Sequence, residues 1–363
     1  MASNKNQHFV PQCYLKNFAK DESKAAICLY NLDRKKLIKN APIKNQCSKN
    51  YFYGEDLILE KALQPIEGQF SEMIRTIKKP GYILTEGDKV FFKEFWLLQY
   101  IRTEEFSKSI ARSTEKDVET LFSINIKMNI KEVVRKSMYL IEKNRHLVDD
   151  LKFCILENNT KTDFITSDNP AILTNRWHFL NKEAQFRSFG LQSAGSLFVL
   201  PLSPKLLMLA YDGDVYSVSN TKGWVQIKNK FDVDAFNYFQ FLNCEANIYV
   251  RSPDALHYLE CLYNEIKYLR PLQVYKTEFL ALENTENKIE TYVPIEFSEI
   301  KESQKVLKTS QFVYVAPPIW SRLIRWKHRG FAMTNGSAHG FVRQARVNEF
   351  GKDGFYKVLI RKG

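Results

Sequence analysis

Apolar residues recur at three- and four-residue steps over much of the first half of the chain, which is the spacing of amphipathic helices. One such run predicts a helix over residues 56–78, where Pro65 either starts the helix or kinks it. A second predicted helix covers residues 86–111, and a third, more polar one covers 113–144 with a break near Asn129. The first half of the chain is therefore expected to be rich in helix.

Short apolar runs bounded by Gly, Pro, Asn and Ser predict β-strands. Residues 26–39 contain two such runs around an Asn-Leu-Asp-Arg turn, which predicts an early hairpin. The middle of the chain holds four more predicted strands, at 151–156, 163–166, 197–200 and 206–211. Helical spacing returns over 231–250, and Ser252-Pro253-Asp254 is typical of the start of a further helix that reaches about 269.

These elements predict an α+β fold with a helix-rich N-terminal half, an early β-hairpin and a central mixed or antiparallel β-sheet. Further helices and a small basic C-terminal β segment complete it. We expect a single α+β domain over residues 1–316 and a basic, aromatic segment over 317–363. No apolar run approaches the roughly 18 to 20 residues of a membrane span, and the N-terminus lacks the profile of a signal peptide. We therefore expect a cytoplasmic protein without membrane contacts.

Charge is distributed unevenly. The net charge is +12, and residues 320–363 contain ten Lys or Arg against Glu349 and Asp353. Aromatic residues alternate with these cations, and rings can stack on bases, so this segment predicts a surface for RNA or DNA. The candidate phosphate contacts are Arg322, Arg325, Lys327 and Arg329. The alternative is a small hairpin with core aromatics and solvated charges.

The second predicted helix carries polar residues in an unexpected place. Gln99 and Arg102 fall inside its apolar stripe, beside Phe95. A buried guanidinium is costly unless a carboxylate meets it, so we expect Glu67 or Asp168 to face Arg102. Such a pair is either purely structural or part of a catalytic or phosphate-binding site.

Two short segments contain most of the candidate chemistry. In the first, His8 can act as general acid or base if it lines a pocket, although a lone histidine is more often structural. In the second, Ser167, Asp168 and Asn169 follow an apolar strand and precede Pro170. These side chains either line a cleft or satisfy the backbone amides of their own turn.

The order of several motifs resembles a family known as domain of unknown function 4238. The motifs are His8-Phe9-Val10-Pro11-Gln12 with Tyr14-Leu15-Lys16-Asn17-Phe18, Tyr51-Phe52-Tyr53, Glu67 with Phe70-Ser71, Gln99 to Arg102-Thr103, Ile165 to Pro170, and Pro201-Leu202-Ser203-Pro204. The resemblance covers residues 7 to about 270, and Cys13 departs from the aromatic residue expected there. It implies a mostly bacterial, cytosolic protein without an established activity.

Within these motifs we take Gln12, Tyr14, Lys16, Gln99, Ser167 and Asn169 as candidate substrate contacts. The six cysteines are scattered singly and are interpreted as free thiols rather than metal ligands. The chain has no P-loop, no G-x-G-x-x-G, no G-x-S-x-G and no H-E-x-x-H, so the common nucleotide, serine-hydrolase and zinc-protease motifs are not found.

Two classes of function follow. The first is a nucleic-acid-processing enzyme, a nuclease acting in phage defence or as a toxin, in which His8 moves a proton, Arg102 clamps phosphate, and Glu67 and Asp168 hold a divalent metal or orient water. The second is a non-catalytic module for nucleic acid or protein, with the same residues in a structural network. The catalytic hypothesis requires these four residues to converge in one cleft open to solvent. The sequence specifies no other cofactor and no oligomeric state.

Overall fold

The computed structural model describes residues 5–185, 189–270, 275–286, 289–312, 314–337, 339–351 and 354–360. The helices are α1 (Gln12–Leu15), α2 (Ile58–Ile77), α3 (Glu86–Ile101), α4 (Glu104–Phe122), α5 (Ile130–Asn144), α6 (Arg176–Leu180), α7 (Lys182–Gln185), α8 (Lys230–Asn243) and α9 (Leu256–Ile266). Long helices predominate before the central strands, and several sheets follow, so the predicted α+β class is confirmed.

The strands form several sheets. They are β1 (Asn6–His8), β2 (Ala26–Asn31), β3 (Lys36–Pro42), β4 (Ser48–Asn50), β5 (Lys152–Asn158), β6 (Thr166–Ser167), β7 (Ile172–Thr174), β8 (Leu197–Ser203), β9 (Leu206–Tyr211), β10 (Tyr216–Ser217), β11 (Trp224–Ile227), β12 (Asn247–Val250), β13 (Tyr275–Glu286), β14 (Ile289–Ile295), β15 (Val306–Phe312), β16 (Arg325–Trp326), β17 (Phe331–Thr334) and β18 (Tyr356–Leu359). The antiparallel pair β2 and β3 confirms the early hairpin.

The central sheet has five strands in the order β11-β5-β9-β8-β7. Its β11–β5 pair is parallel and the other pairs are antiparallel, so the sheet is mixed. Both faces are buried: along β9, Met208 packs into one hydrophobic cluster and Leu209 into another. Alternate side chains of a strand point to opposite faces, which explains why these strands are apolar throughout.

Helices α2 and α3 cover the first face of this sheet. Their own contact includes stacked rings of Phe70 and Phe95, with centroids 4.0 Å apart. The indole of Trp96 meets Phe198 of β8 edge-on and donates from Nε1 to the carbonyl of Val199 at 3.0 Å. This contact fixes α3 along the sheet, and α3 in turn fixes the polar residues at its C-terminal end.

Helix α8 and the C-terminal segment cover the second face. Phe236 of α8, Ile324 and Phe341 belong to the same buried cluster as Leu209. A second sheet, in the order β3-β2-β12-β6, packs against α9 through Ile248 and other apolar residues. The aromatic C-terminal residues therefore contribute to the core, whereas the division of the chain at residue 316 stays a prediction.

Two of the predicted elements are wrong. The helix expected over 86–111 is two helices, because α3 ends before Arg102 and the Oγ1 of Thr103 accepts the backbone N–H of Phe106 as the N-cap of α4. The helical spacing over 231–250 continues only to Asn243, and β12 pairs instead with β2 and β6. The predicted helix over 56–78 is confirmed as α2, with Pro65 in its interior.

Candidate functional site

The shape of the N-terminal segment depends on its backbone pairing. Strand β1 pairs antiparallel with β4, with His8 opposite Ser48, and the N–H of Phe9 donates to the carbonyl of Cys47 at 2.9 Å. Pro11 then starts α1, where its fixed φ suits a helix entry and its missing N–H leaves no unpaired donor. The carbonyl of His8 is thereby held toward the interior of the protein.

Arg102 is the centre of a buried network at the end of α3. Its Nη2 donates to the carbonyl of His8 at 2.8 Å and to Glu67 Oε1 at 2.9 Å, and its Nε donates to the hydroxyl of Tyr53 at 3.0 Å. Tyr53 in turn donates to the carbonyl of His8 at 3.1 Å. We call Arg102, Glu67, Tyr53 and the His8 carbonyl the Arg102 network.

The electrostatics of this network favour the charged form of Arg102. Arg102 is 1% exposed and Glu67 is 27% exposed. Burial alone would lower the pKa of Arg102, but the hydroxyl of Tyr53 and the carboxylate of Glu67 outweigh it and raise that pKa. Burial raises the pKa of Tyr53 to about 12, so Tyr53 stays a neutral donor at physiological pH. Glu67 is therefore confirmed as the acid facing Arg102.

One side of the network is left without partners. Within the described residues, Arg102 Nη1 and Gln99 Oε1 are buried and have no hydrogen-bonding partner, although Gln99 Nε2 donates to the carbonyl of Phe9 at 3.0 Å. Buried polar atoms are nearly always satisfied. Arg102 Nη1 in the network and Gln99 Oε1 outside it are therefore the atoms that a purely structural role does not explain.

The side chain of His8 has a hydrogen-bonding partner of its own. Its Nε2 donates to the carbonyl of Lys44 at 3.1 Å, which leaves Nδ1 as the acceptor. Burial lowers the pKa of His8, which favours the neutral ring. Burial also raises the pKa of the neighbouring Cys13 thiol to about 12, which makes Cys13 a poor nucleophile.

Asp168 lies outside the Arg102 network, so the alternative in which Asp168 faces Arg102 or shares a metal with Glu67 is wrong. Its carboxylate accepts the backbone N–H groups of Glu245, Ala246 and Asn247 at 2.8 to 2.9 Å. Burial raises the pKa of Asp168 to about 6 despite these three hydrogen bonds. Asp168 therefore ties the turn before β12 to the end of β6.

Three of the expected substrate contacts form hydrogen bonds within the protein. Tyr14 is fully buried, donates to the carbonyl of Pro201 at 2.6 Å and lies 2.7 Å from Thr166 Oγ1. Ser167 is also fully buried and donates to Gln240 Oε1 at 2.8 Å. Asn169 and Asn243 exchange hydrogen bonds between their side chains and backbones. These hydrogen bonds join β6 to α8 and to β8, and the role of these residues as substrate contacts stays a prediction.

The remaining candidates near the N-terminus have different positions. Gln99 is fully buried in the Arg102 region, Gln12 is partly buried at the start of α1, and Lys16 is exposed just after it. Sequence reasoning missed Tyr53 as a member of the network, although it had singled out Tyr51-Phe52-Tyr53 as a motif. It also missed Gln7, whose side-chain amide holds the backbone after β4. Gln7 Nε2 donates to the carbonyl of Gly54, and Gln7 Oε1 accepts the N–H of Tyr53.

The basic residues of the C-terminal segment divide into two groups. Arg343 and Arg346 are buried and pair with Asp150. The exposed group is Arg322, Arg325, Lys327, Arg329 and Lys357, and we call the first four, which lie within eight residues of one another, the cationic loop. Lys352, Asp353, Arg361 and Lys362, which contributed to the charge count, lie outside the described residues.

The structure thus defines an α+β protein whose N-terminal motif is tied to a helical layer by a buried arginine. The chain belongs to the family described as protein of unknown function (DUF4238), whose sequence profile matches residues 6–254. No curated protein and no solved structure matches the chain at a significant level. The predicted family membership is confirmed, and the matched region ends before the cationic loop.

Two further findings concern metals and membranes. Across the described ranges, no group of three or more His, Cys, Asp or Glu side chains is arranged to hold a metal ion. In the same part of the chain, no helix has the length and apolar character needed to cross a membrane.

Proposed function

We propose that this protein binds nucleic acid through the cationic loop and that the Arg102 network mainly supports its fold. The observation that carries the proposal is the exposure of four cationic side chains within eight residues. Three of the four are arginines, whose planar guanidinium groups match phosphate oxygens well. A run of arginines on one loop suits a phosphate backbone, which presents charge at regular intervals.

The loop is held in place on both sides, which supports a preformed binding surface. At its start, Asp232 accepts the hydroxyl of Ser321 at 2.7 Å and the N–H of Arg322 at 2.8 Å. At its centre, β16 pairs with β10, and the N–H of Lys327 donates to the carbonyl of Val215 at 2.9 Å. Less conformational entropy is then lost when a ligand binds.

The charges of the loop are largely uncompensated. Among the described residues, Arg322, Arg325 and Arg329 form no salt bridge, whereas Lys327 lies 3.2 Å from Asp214. The guanidinium of Arg322 sits 4.3 Å above the ring of Phe231, which orients it without neutralising it. Three free guanidinium groups therefore remain for an anionic partner.

The aromatic residues of the segment favour contact with phosphates rather than stacking on bases. Trp326 packs against Tyr216 and lies under Arg176, and Trp320 packs against Phe239. Because these rings already pack against other side chains, we expect binding that depends weakly on base sequence and strongly on salt.

A second candidate function is phosphodiester hydrolysis at the Arg102 network. The observation in its favour is the unpartnered Arg102 Nη1 beside the partly exposed Glu67. In that version Arg102 stabilises the phosphate charge and His8 Nδ1 accepts a proton, without Asp168. Cleavage of labelled RNA or DNA that disappears in His8→Ala would support it, whereas no cleavage with Mg²⁺ or Mn²⁺ would contradict it.

The state of the cysteines indicates the cellular compartment of the protein. All six cysteines are free, and five of them are buried or partly buried. Free thiols persist in a reducing compartment, which supports the cytoplasmic location that we propose.

Binding is tested by fluorescence anisotropy with labelled single-stranded RNA and DNA. We expect R322Q/R325Q/R329Q to weaken binding at least about tenfold. The slope of log K against log salt concentration should also fall in magnitude by about two to three, because each lost phosphate contact removes about 0.7 to 0.9 from it. The matched control R34Q/R75Q/R145Q removes the same charge from exposed arginines elsewhere. Equal losses in both variants, or no binding by the natural chain, would contradict the proposal.

A further inference from the structure

A large cleft lies apart from both the Arg102 network and the cationic loop. It has a volume of about 710 Å³ and is lined by residues from four separate segments of the chain. Its cationic and aromatic lining residues are Lys78, Lys79, Lys205, Lys222, Tyr82 and Trp224, and we call it the lysine cleft. Small-molecule sites usually enclose about 300 to 1,000 Å³, so the cleft has the size of such a site.

The two rings of the cleft are held by their own polar groups. The Nε1 of Trp224 donates to the carbonyl of Tyr82 at 3.1 Å, and the hydroxyl of Tyr82 donates to Asp88 Oδ2 at 2.7 Å. Gly223 has a φ of +87°, in the left-handed region, which lets the chain turn into β11 directly beside Leu84. The aromatic part of the cleft is therefore held by hydrogen bonds before any ligand binds.

The cleft carries excess positive charge. Within the described residues, Lys78, Lys79 and Lys222 make no salt bridge, whereas Lys205 pairs with Asp163 at 2.9 Å. Glu157 also lines the cleft, where it accepts the side-chain amide of Gln226 at 2.6 Å. Burial and the nearby Lys24 lower the pKa of Lys78.

The position of Lys78 and Lys79 at the end of α2 does not account for this charge. Cations near a helix C-terminus are favoured by the helix dipole, and that argument covers these two lysines alone. Lys205 comes from the β8–β9 turn and Lys222 from the turn before β11. Cations from unrelated segments meet here, around two fixed rings.

We propose that the lysine cleft binds a nucleoside polyphosphate, with its phosphates on Lys78, Lys79 and Lys222 and its base against Trp224 or Tyr82. Ammonium groups suit a compact, multiply charged phosphate chain as point charges. An aromatic ring beside them suits a base, because every base has a face that can stack. The site is separate from the cationic loop, so this inference does not rest on the proposed function.

Isothermal titration calorimetry with ADP and with inorganic pyrophosphate tests the cleft in the full-length protein. We expect K79Q/K222Q to weaken ADP binding at least about tenfold, which corresponds to about 1.4 kcal/mol. The control K131Q/K136Q removes two exposed lysines from α5 and should bind ADP like the natural chain. We also expect pyrophosphate to bind more weakly than ADP, because it offers no base to the rings.

Tryptophan fluorescence reports on the rings independently of affinity. ADP at saturation should quench emission in the natural chain, and this quenching should be largely lost in Trp224→Phe. Pyrophosphate should cause no quenching. Equal binding of ADP and pyrophosphate, or quenching that persists in Trp224→Phe and in a Tyr82→Leu variant, would overturn the assignment of a nucleotide.

The cationic loop and the lysine cleft are tested independently by measuring each variant with the ligand of the other site. R322Q/R325Q/R329Q should bind ADP normally, and K79Q/K222Q should bind oligonucleotides normally. Displacement of ADP by a single-stranded oligonucleotide would show that the cleft belongs to a nucleic-acid surface and would overturn this proposal. Absence of ADP binding by the natural chain would overturn it as well, without affecting the cationic loop.

Discussion

Arg102 and Glu67 form a salt bridge of 2.9 Å that joins the end of α3 to α2, although Arg102 is almost completely buried. The same guanidinium also holds the carbonyl of His8, which lies 94 positions earlier in the chain. One side chain thus connects the N-terminal motif with both helices that cover the central sheet.

Loss of this arginine should destabilise the fold. We expect Arg102→Met to lower the free energy of unfolding by about 3 kcal/mol, because it leaves the His8 carbonyl and a partly buried carboxylate unpaired. Urea unfolding measures the change. The control Arg135→Met breaks a salt bridge to Asp56 whose side chains are 41% and 35% exposed, and it should cost less than about 1 kcal/mol. Similar losses in both variants would show that Arg102 has no special structural role.

The boundary between α3 and α4 depends on a hydroxyl. Thr103 Oγ1 accepts the N–H of Phe106 at 3.3 Å and caps α4. Thr103→Ala should therefore lower the free energy of unfolding by about 1 kcal/mol, the usual value of an N-cap. Thr103→Ser keeps the cap and should retain most of the stability in the same urea titration. If the serine variant lost as much as the alanine variant, the cap would not be the cause.

Acid should destabilise the protein in part through His178. Burial lowers the pKa of His178 from 6.5 to about 4, so between these values the unfolded chain binds more protons at this site than the folded protein. Stability due to this histidine is then present above pH 6.5 and is lost as pH falls toward 4. The slope of unfolding free energy against pH reports how many more protons the unfolded state binds than the folded state. We expect His178→Gln to reduce this number by up to about one in this window.

The control for this titration is His257→Gln, which replaces an exposed histidine. Its unfolding free energy should follow the same pH dependence as that of the natural chain. A His178→Gln variant that also retained the full dependence would assign acid sensitivity to other groups.

Thiol chemistry should distinguish one cysteine from the others. Cys261 is exposed, whereas burial raises the pKa of Cys154 and of Cys244 to about 12. We expect a thiol-reactive disulfide reagent at neutral pH to label one site rapidly in the folded protein and the others only after unfolding. Cys261→Ser should abolish the rapid phase. A rapid phase that survives this substitution would contradict the buried positions.

Local pattern was sufficient for several elements of this fold. The apolar spacing predicts α2 because Leu63, Phe70, Ile74 and Ile77 are all buried on one side of it. The run 206–211 matches β9 because a strand buried on both faces is apolar throughout. The stripe that contains Gln99 and Arg102 predicts their burial correctly, since helical geometry places them beside Phe95.

The same pattern gave wrong elements where contacts with residues far away in the chain determine the secondary structure. Phe106 continues the apolar stripe of α3, so nothing in its spacing reveals the break at Arg102 and Thr103. Residues 247–250 resemble the end of a helix until they are seen between β2 and β6. A strand of this length is stabilised by the hydrogen bonds of its neighbours, which lie far away in the chain.

The sequence alone determined the family, the α+β class, the early hairpin and the burial of Arg102. It also limited the acidic partner of Arg102 to two candidate residues. Only the tertiary structure selected Glu67 over Asp168, brought Tyr53 to the guanidinium and assembled the lysine cleft from four segments. The physical reason is the range of the forces involved. Helical and strand periodicity follow from neighbouring residues, whereas ion pairs and clefts depend on which distant surfaces meet when the core closes.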